Sequence, residues 1–192
     1  LAVIENLLSR VDMRVVRAEV NDINGGSLRC YAAHGSSFRF KHPEYKDNIK
    51  LLRQREFDMA LDSDRPYRNF QDRINVHREE LTKLLKRLKA ENKRIHVYGA
   101  STKGNVILQW CGIDNRIIDF AAERNPEKYG AATLGTDIPI ISEEESRRMK
   151  PDFYLVLPWH FKAEFVERER ETVAQGTGLI FPLPTIEIVT AS

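Results

Sequence analysis

One stretch decides the fold of this chain: Val97-Tyr98-Gly99-Ala100-Ser101-Thr102-Lys103-Gly104-Asn105. A short apolar strand precedes the first glycine, and a helical pattern, Thr102–Cys111, follows it and ends at Gly112. At such a junction the first N–H groups of the helix lack backbone partners and the helix dipole favours an anion. Gly99 permits a tight turn, while Ser101 and Lys103 supply a hydroxyl group and a positive charge. The stretch therefore predicts a strand–turn–helix unit that binds an anion such as phosphate.

The spacing of the glycines separates this loop from two common nucleotide-binding motifs. Gly99 and Gly104 have the P-loop spacing, but Asn105-Val106 stands where that motif needs Lys followed by Ser or Thr. Ser101 stands where a dinucleotide fingerprint has its middle glycine, which permits close approach of the pyrophosphate. A plain strand-to-helix turn capped by Ser101, with no ligand, stays open as the alternative.

Strands and helices alternate from this stretch to the C-terminus. The pattern predicts strands at 94–98, 116–122, 153–157, 178–181 and 186–189, and helices at 102–111, 142–149 and 161–174. Ser142 and Glu145 have the spacing of a capping box at the start of the second helix. Such alternation indicates an α/β fold, with a Rossmann-like parallel sheet covered by helices on both faces in three layers.

The N-terminal side has a different pattern. A short helix near Leu1–Leu8 precedes two strands, Met13–Val20 and Ser27–Ala33, which flank a turn-forming segment. Helices are predicted near Tyr45–Leu61 and from Phe70 to Glu91. We therefore expect three parts: an orphan β-hairpin in residues 1–33, a helical connector in 34–92, and the Rossmann-like domain in 93–192.

Two further segments follow strands and should lie at the same sheet edge as the loop. Glu123-Arg124-Asn125 follows the second strand, where an acid can bind ribose and an arginine can bind phosphate. Trp159-His160 follows the predicted strand at 153–157, and it offers a flat apolar face and a titratable nitrogen. A solvated turn at Asn125 and a buried tryptophan beside a helix-capping histidine are the alternatives.

Composition excludes several classes of function. The 192 residues are 42% hydrophobic and 30% charged, with a formal net charge of +2, which does not favour nucleic acid as a partner. Cys30 and Cys111 form no C-x-x-C pair, so no zinc site is expected, and they fit a reducing cytoplasm. We expect no membrane span. Leu1 in place of methionine indicates a chain that begins inside a longer protein.

Five motifs in one order give the chain a family resemblance. They are Tyr98–Asn105, Glu123-Arg124-Asn125-Pro126-Glu127-Lys128, Gly135–Ile140, Leu157-Pro158-Trp159-His160 and Phe181-Pro182-Leu183-Pro184. Over 93–189 the sequence resembles the C-terminal domain of S-adenosylmethionine-dependent sugar C-methyltransferases, which methylate a carbon of a nucleotide-linked deoxysugar. The segment Met13–Ala33 resembles the closing hairpin of the family's central class I methyltransferase domain. Glu123 departs from the aspartate usual in the family, which alters the expected ribose contact.

The resemblance implies that methyl transfer and nucleotide-sugar binding belong to different domains. The methyl donor and the acid/base residues would belong to a methyltransferase domain that this chain lacks, so we expect a C-terminal fragment that binds a nucleotide diphosphate-sugar but is inactive alone. It implies no cofactor in this chain and S-adenosylmethionine in the longer enzyme, as part of deoxysugar biosynthesis. Alternatives are an NAD-type domain of an oxidoreductase and a structural or dimerisation domain without a ligand.

The expected binding residues come from three segments, and we expect no catalytic or metal-ligating residue. They are Tyr98, Gly99, Ala100, Ser101, Thr102, Lys103, Gly104, Asn105, Glu123, Arg124, Asn125, Trp159 and His160.

Overall fold

The structure is a computed structural model that describes residues 1–40 and 43–191, without the side chain of Asn24. The chain divides into two units, Leu1–Asp72 and Arg73–Ser192. A long helix, α3 (Arg65–Ala90), contributes its residues from Arg73 onward to the second unit. The expected boundaries at residues 33 and 92 remain predictions.

The first unit contains helix α1 (Ala2–Ser9), strands β1 (Met13–Asn21) and β2 (Ser27–His34), and helix α2 (Pro43–Asp58). The strands pair antiparallel, and a 3-10 turn at Ile23–Gly25 joins them, so the predicted hairpin is confirmed. Its small core contains Leu1, Val15, Ala18 and Ile49. The helix predicted at Tyr45–Leu61 is present as α2 but ends at Asp58.

The second unit contains a six-stranded sheet with the order β5-β4-β3-β6-β7-β8. The strands are β3 (Ile95–Tyr98), β4 (Phe120–Glu123), β5 (Ile140–Ser142), β6 (Phe153–Val156), β7 (Gly178–Phe181) and β8 (Glu187–Val189). All neighbours pair parallel except β7 and β8, which are antiparallel. In this order the first strand of the unit lies in the middle, which is the Rossmann arrangement.

Helices cover both faces of this sheet. Besides the part of α3 from Arg73 onward, the helices of the unit are α4 (Thr102–Cys111), α5 (Glu143–Arg148), α6 (Lys162–Arg168) and α7 (Arg170–Ala174). One core contains Leu81 and Leu85 of α3, Leu108 of α4, and Val97 from the sheet. A separate core packs Phe165 and Val173, from α6 and α7, with sheet residues that include Tyr98 and Tyr154. Two cores on opposite faces confirm the predicted three-layer α/β fold.

The strand predicted at 116–122, which is β4, is shorter than its apolar run indicates. It begins at Phe120, not Arg116, and Ile117 and Ile118 lie in the preceding turn and loop although both are buried. The Asp114 side chain accepts the Arg116 N–H, and its backbone carbonyl accepts the N–H groups of both isoleucines. The apolar run reflects burial in a folded-back turn, and hydrophobicity alone does not distinguish this from a strand.

Two other predictions need correction. The segment Ile140–Ser142, for which the sequence predicts no strand, forms the edge strand β5 before Ser142 caps α5. The helix predicted at Phe161–Ala174 consists of a 3-10 turn at Trp159–Phe161 followed by α6 and α7. Glu169 interrupts it with a non-helical backbone, and its buried carboxylate accepts hydrogen bonds from other elements.

Candidate functional site

The strand order has its topological switch point at the carboxyl ends of β3 and β6. From β3 the sheet extends to β4 and β5 on one side and to β6, β7 and β8 on the other. Ligands of open α/β sheets bind at such a switch point, where the loops after the two central strands separate. The loops after β3, β4 and β6 contain the expected binding segments, and the parallel pairing brings them to one edge of the sheet.

The loop after β3 makes a tight turn at Gly99. This residue has φ of +88°, and a Cβ there would lie 2.9 Å from Cγ of Pro158. The Gly99 N–H donates to the carbonyl of Ala122 at 2.8 Å, which ties the loop to the end of β4. Close approach to two neighbouring segments therefore requires glycine at this position.

Helix α4 begins at this turn with a side-chain cap. Ser101 has extended backbone angles, and its Oγ accepts the Gly104 N–H at 3.1 Å. Thr102 and Lys103, the first two helical residues, have exposed side chains. Early N–H groups of a helix have no partner within the helix, so this end of α4 favours negative charge.

Gly104 brings α4 unusually close to the end of β6. A Cβ on Gly104 would lie 2.5 Å from Cδ1 and 2.8 Å from Cβ of Leu157. In dinucleotide folds the last glycine of the fingerprint serves the same close packing of helix on strand. Gly99 and Gly104 therefore have structural roles that do not require a ligand.

Glu123 ties the loops after β3 and β4 together. Its carboxylate accepts the N–H groups of Ala100, Arg124 and Asn125 at 2.9–3.0 Å. Burial acts to raise the pKa of this carboxyl, but the hydrogen bonds from Asn125, Lys128, Arg124 and Ala100 outweigh it. The pKa is consequently below its ordinary value, and Glu123 is a carboxylate at neutral pH.

Lys128 is a basic residue of the site that we did not select from the sequence. Its Nζ donates to the carbonyl of Ala100 at 2.9 Å and to Glu123 Oε2 at 3.2 Å. A 3-10 turn, Pro126–Lys128, carries it, and the Asn125 side chain caps that turn through the Glu127 N–H. Its position at the end of the Glu123–Lys128 motif is the sequence signal that it belongs to the site. A lysine five residues beyond a strand is not diagnostic by itself.

The segment after β6 is partly buried. Trp159 packs against the core that contains Tyr98 and Phe181, and its ring lies edge-on to His160 at 5.5 Å. The His160 ring also contacts Phe161, at 4.3 Å between ring centroids. The half-buried Trp159 is therefore anchored to the domain core.

Tyr98 and Asn105 differ in how their polar atoms are satisfied. The Tyr98 hydroxyl is buried, donates to Glu169 at 2.8 Å and accepts from Arg147 at 2.7 Å. Burial, together with the negative charge of Glu169, raises the pKa of Tyr98. Asn105 Oδ1 is buried and has no hydrogen-bond partner among the described residues. An orphaned acceptor one turn into α4 is a position that a water molecule or a ligand donor can satisfy.

The described part of the chain offers no cluster of three or more His, Cys, Asp or Glu side chains that could hold a metal ion. None of the helices within it is long and apolar enough to cross a membrane.

Comparison with known proteins identifies the family. A family model described as C-methyltransferase C-terminal domain matches residues 22–184. The chain belongs to this family. It is also 30% identical over 179 residues to the C-methyltransferase NovU of Streptomyces niveus, and the match covers 93% of this chain but 42% of NovU. The predicted resemblance is thus confirmed for the C-methyltransferase C-terminal domain, and the chain spans less than half the length of that relative.

Proposed function

We propose that the chain is the nucleotide-sugar-binding domain of a sugar C-methyltransferase. The observation that carries the proposal is the Ser101-capped start of α4, which lies at the switch point beside the cation of Lys128. The exposed Lys103 adds positive charge to the same turn. Backbone N–H groups and cations at such a helix start suit a diphosphate.

The remaining contacts follow from the positions of the side chains. Arg124, which is exposed, is proposed to bind a phosphate oxygen, and Asn105 Oδ1 to accept a donor of the ligand. Glu123 is proposed to accept a ribose hydroxyl, and the half-buried Trp159 to stack on a ring, with His160 beside it. Ser101 and Tyr98 support the loop through the cap and through the buried hydroxyl.

We propose that S-adenosylmethionine does not bind at this site, although the family implies it as the methyl donor. Its sulfonium is positively charged and it has no phosphate, whereas the start of α4 and the Lys128 ammonium favour an anion. We therefore propose that the donor binds in the longer enzyme outside this chain, that the chain alone transfers no methyl group, and that the protein acts in the cytoplasm.

Calorimetric titration of the full chain tests the proposal. We expect heat on addition of a deoxythymidine diphosphate-sugar and none with S-adenosylmethionine or NAD. Binding of NAD alone would favour a dinucleotide domain, although Ser101 stands where that fold has its middle glycine. Absence of binding for every ligand would favour a structural or dimerisation domain.

A lysine substitution assigns the anion contact. Lys103→Ala should weaken binding of the diphosphate-sugar by about 1–3 kcal/mol, because a charge-assisted hydrogen bond is lost. Lys83→Ala, at an exposed lysine of α3, is the matched control and should leave the affinity unchanged. Equal affinities of the two variants would remove Lys103 from the site.

A further inference from the structure

The Glu123 carboxylate is saturated with hydrogen-bond donors. Within the described chain, Oε1 accepts the N–H groups of Arg124 and Asn125, and Oε2 accepts the Ala100 N–H and the Lys128 ammonium. An ionised carboxylate offers about four lone-pair positions, and each of these donors occupies one. A ligand hydroxyl therefore cannot bind Glu123 until one donor leaves.

Lys128 is the donor best able to leave. The other three donors are backbone N–H groups, held in place by the ends of β3 and β4. The Lys128 side chain is 41% exposed, so its ammonium can move away from Glu123 without unfolding the loop. Its Nζ also lies 2.9 Å from the Ala100 carbonyl, and this contact holds the charge beside the anion-binding turn.

A diphosphate competes effectively with Glu123 for the Lys128 ammonium. Glu123 has one negative charge, whereas a diphosphate has more than one and offers several acceptor oxygens. Because an ammonium is a compact point charge with three rotatable donors, it can change partners while it keeps the bond to the Ala100 carbonyl.

We propose that Lys128 binds the diphosphate of the ligand by exchanging its bond to Glu123 for a phosphate oxygen, and that the vacated position on Glu123 accepts a ribose hydroxyl. The inference rests on the proposed nucleotide-sugar function. Diphosphate and ribose then bind cooperatively, because the first contact creates the acceptor that the second needs. The exchange makes Lys128 a determinant of specificity for nucleoside diphosphates over monophosphates.

Calorimetry on the full chain tests the lysine. Uridine and deoxythymidine diphosphates are titrated first, and the tighter one is compared with its monophosphate. Lys128→Met removes the ammonium but keeps a similar stem, and we expect the diphosphate-to-monophosphate affinity ratio to fall about tenfold or more. Lys83→Met, on the exposed face of α3, should leave the ratio unchanged.

The ratio separates binding from a structural role. A lysine that only stabilises the loop would weaken both nucleotides equally, and that result, or no loss for either, overturns the inference while the proposed function stands. If the unmodified chain binds neither diphosphate, the proposed function fails as well.

A second variant tests the vacated acceptor. In the unmodified chain, removal of the ribose hydroxyl groups from the diphosphate should weaken binding severalfold. In Glu123→Gln this difference should disappear, because the amide offers one acceptor oxygen and lacks the charge. A hydroxyl contribution that survives in Glu123→Gln contradicts the exchange, and thermal unfolding of the variant checks that it is folded.

Discussion

At the residue scale, Gly104 shows how one missing side chain positions the proposed binding loop. Its Cα faces Leu157 so closely that a methyl group would lie 2.5 Å from Cδ1 and 2.8 Å from Cβ of that residue. The Cδ1 atom can rotate, but Cβ is fixed by the backbone at the end of β6. Any larger residue therefore has to displace the helix from the sheet.

Gly104→Ala should consequently destabilise the second unit by about 1–3 kcal/mol, the usual cost of overpacking. Urea unfolding followed by tryptophan fluorescence measures it selectively, since Trp110 and Trp159 both lie in that unit. Val106→Ala, at an exposed position of the same helix, is the control and should change stability little. Unchanged stability of Gly104→Ala would contradict the close packing.

The residue scale also shows what the sequence could predict of the site. The loop Gly99–Asn105, its Ser101 cap and its position after a strand follow from local chemistry, because capping and turn preferences act between near neighbours. The bond from Lys128 to the Ala100 carbonyl and the buried hydroxyl of Tyr98 depend on partners brought together by the fold. Sequence separation carries no information about such contacts.

At the scale of elements, β3 and α5 share a buried polar chain. His96 of β3 is 1% exposed, and its Nδ1 lies 2.7 Å from Ser146 Oγ of α5. The same hydroxyl lies 2.8 Å from the hydroxyl of Tyr154 in β6. Burial lowers the pKa of His96 from 6.5 to about 4, with Asp119 acting against the shift and Arg94 adding to it.

This pKa predicts how the stability of the second unit depends on pH. Below pH 6.5 the unfolded chain takes up a proton that folded His96 does not take up until about pH 4. Stability should therefore fall as the pH drops from 6.5 to 4, by up to roughly 3 kcal/mol, and the histidine should contribute no further loss below that window.

The measurement is urea unfolding by tryptophan fluorescence at several pH values in this window. His96→Leu should flatten the dependence, because it removes the titrating group while Ser146 and Tyr154 keep their mutual hydrogen bond. His34→Leu, at an exposed histidine of the first unit, should retain the pH dependence of the unmodified chain. A slope that persists in His96→Leu would assign the acid sensitivity to other groups.

Elements were predicted well where local signals agree and poorly where tertiary contacts override them. Helix α4 has the predicted limits because a serine cap and a C-terminal Gly112 in the left-handed conformation define both ends. The predicted start of β4 was wrong because buried isoleucines in a turn have the same apolar pattern as a strand. The break at Glu169 was missed because its carboxylate bonds to Tyr98 and Arg147, which are distant in sequence.

At the scale of the whole molecule, the long helix α3 supplies part of the core of the sheet domain. Leu81, Leu85 and Leu88 are at most 6% exposed and belong to the same core as Val97 and Leu108. Burial of three leucines contributes roughly 5 kcal/mol or more, which is comparable with the whole stability of a small domain. We therefore propose that the folding unit includes the second half of α3.

Two fragments test this boundary. Residues 73–192 should give a cooperative unfolding transition and a dispersed NMR spectrum. Residues 93–192, which correspond to the expected binding domain, lack the three leucines and should expose the apolar face of β3. They should bind a hydrophobic dye and show no cooperative transition. Equal stability of the two fragments would place the boundary at residue 93 after all.

Both margins of the six-stranded sheet end in strands of three residues, β5 on one side and β8 on the other. Glu187 of β8 is exposed and paired with Lys162, and the backbone of Ile140 in β5 is hydrogen-bonded to Gly130 and Ala131. Edge strands that are short, charged or already paired offer another chain few free backbone N–H and C=O groups. Backbone pairing between the sheets of neighbouring copies, which is the first step towards fibres, is therefore disfavoured at both margins.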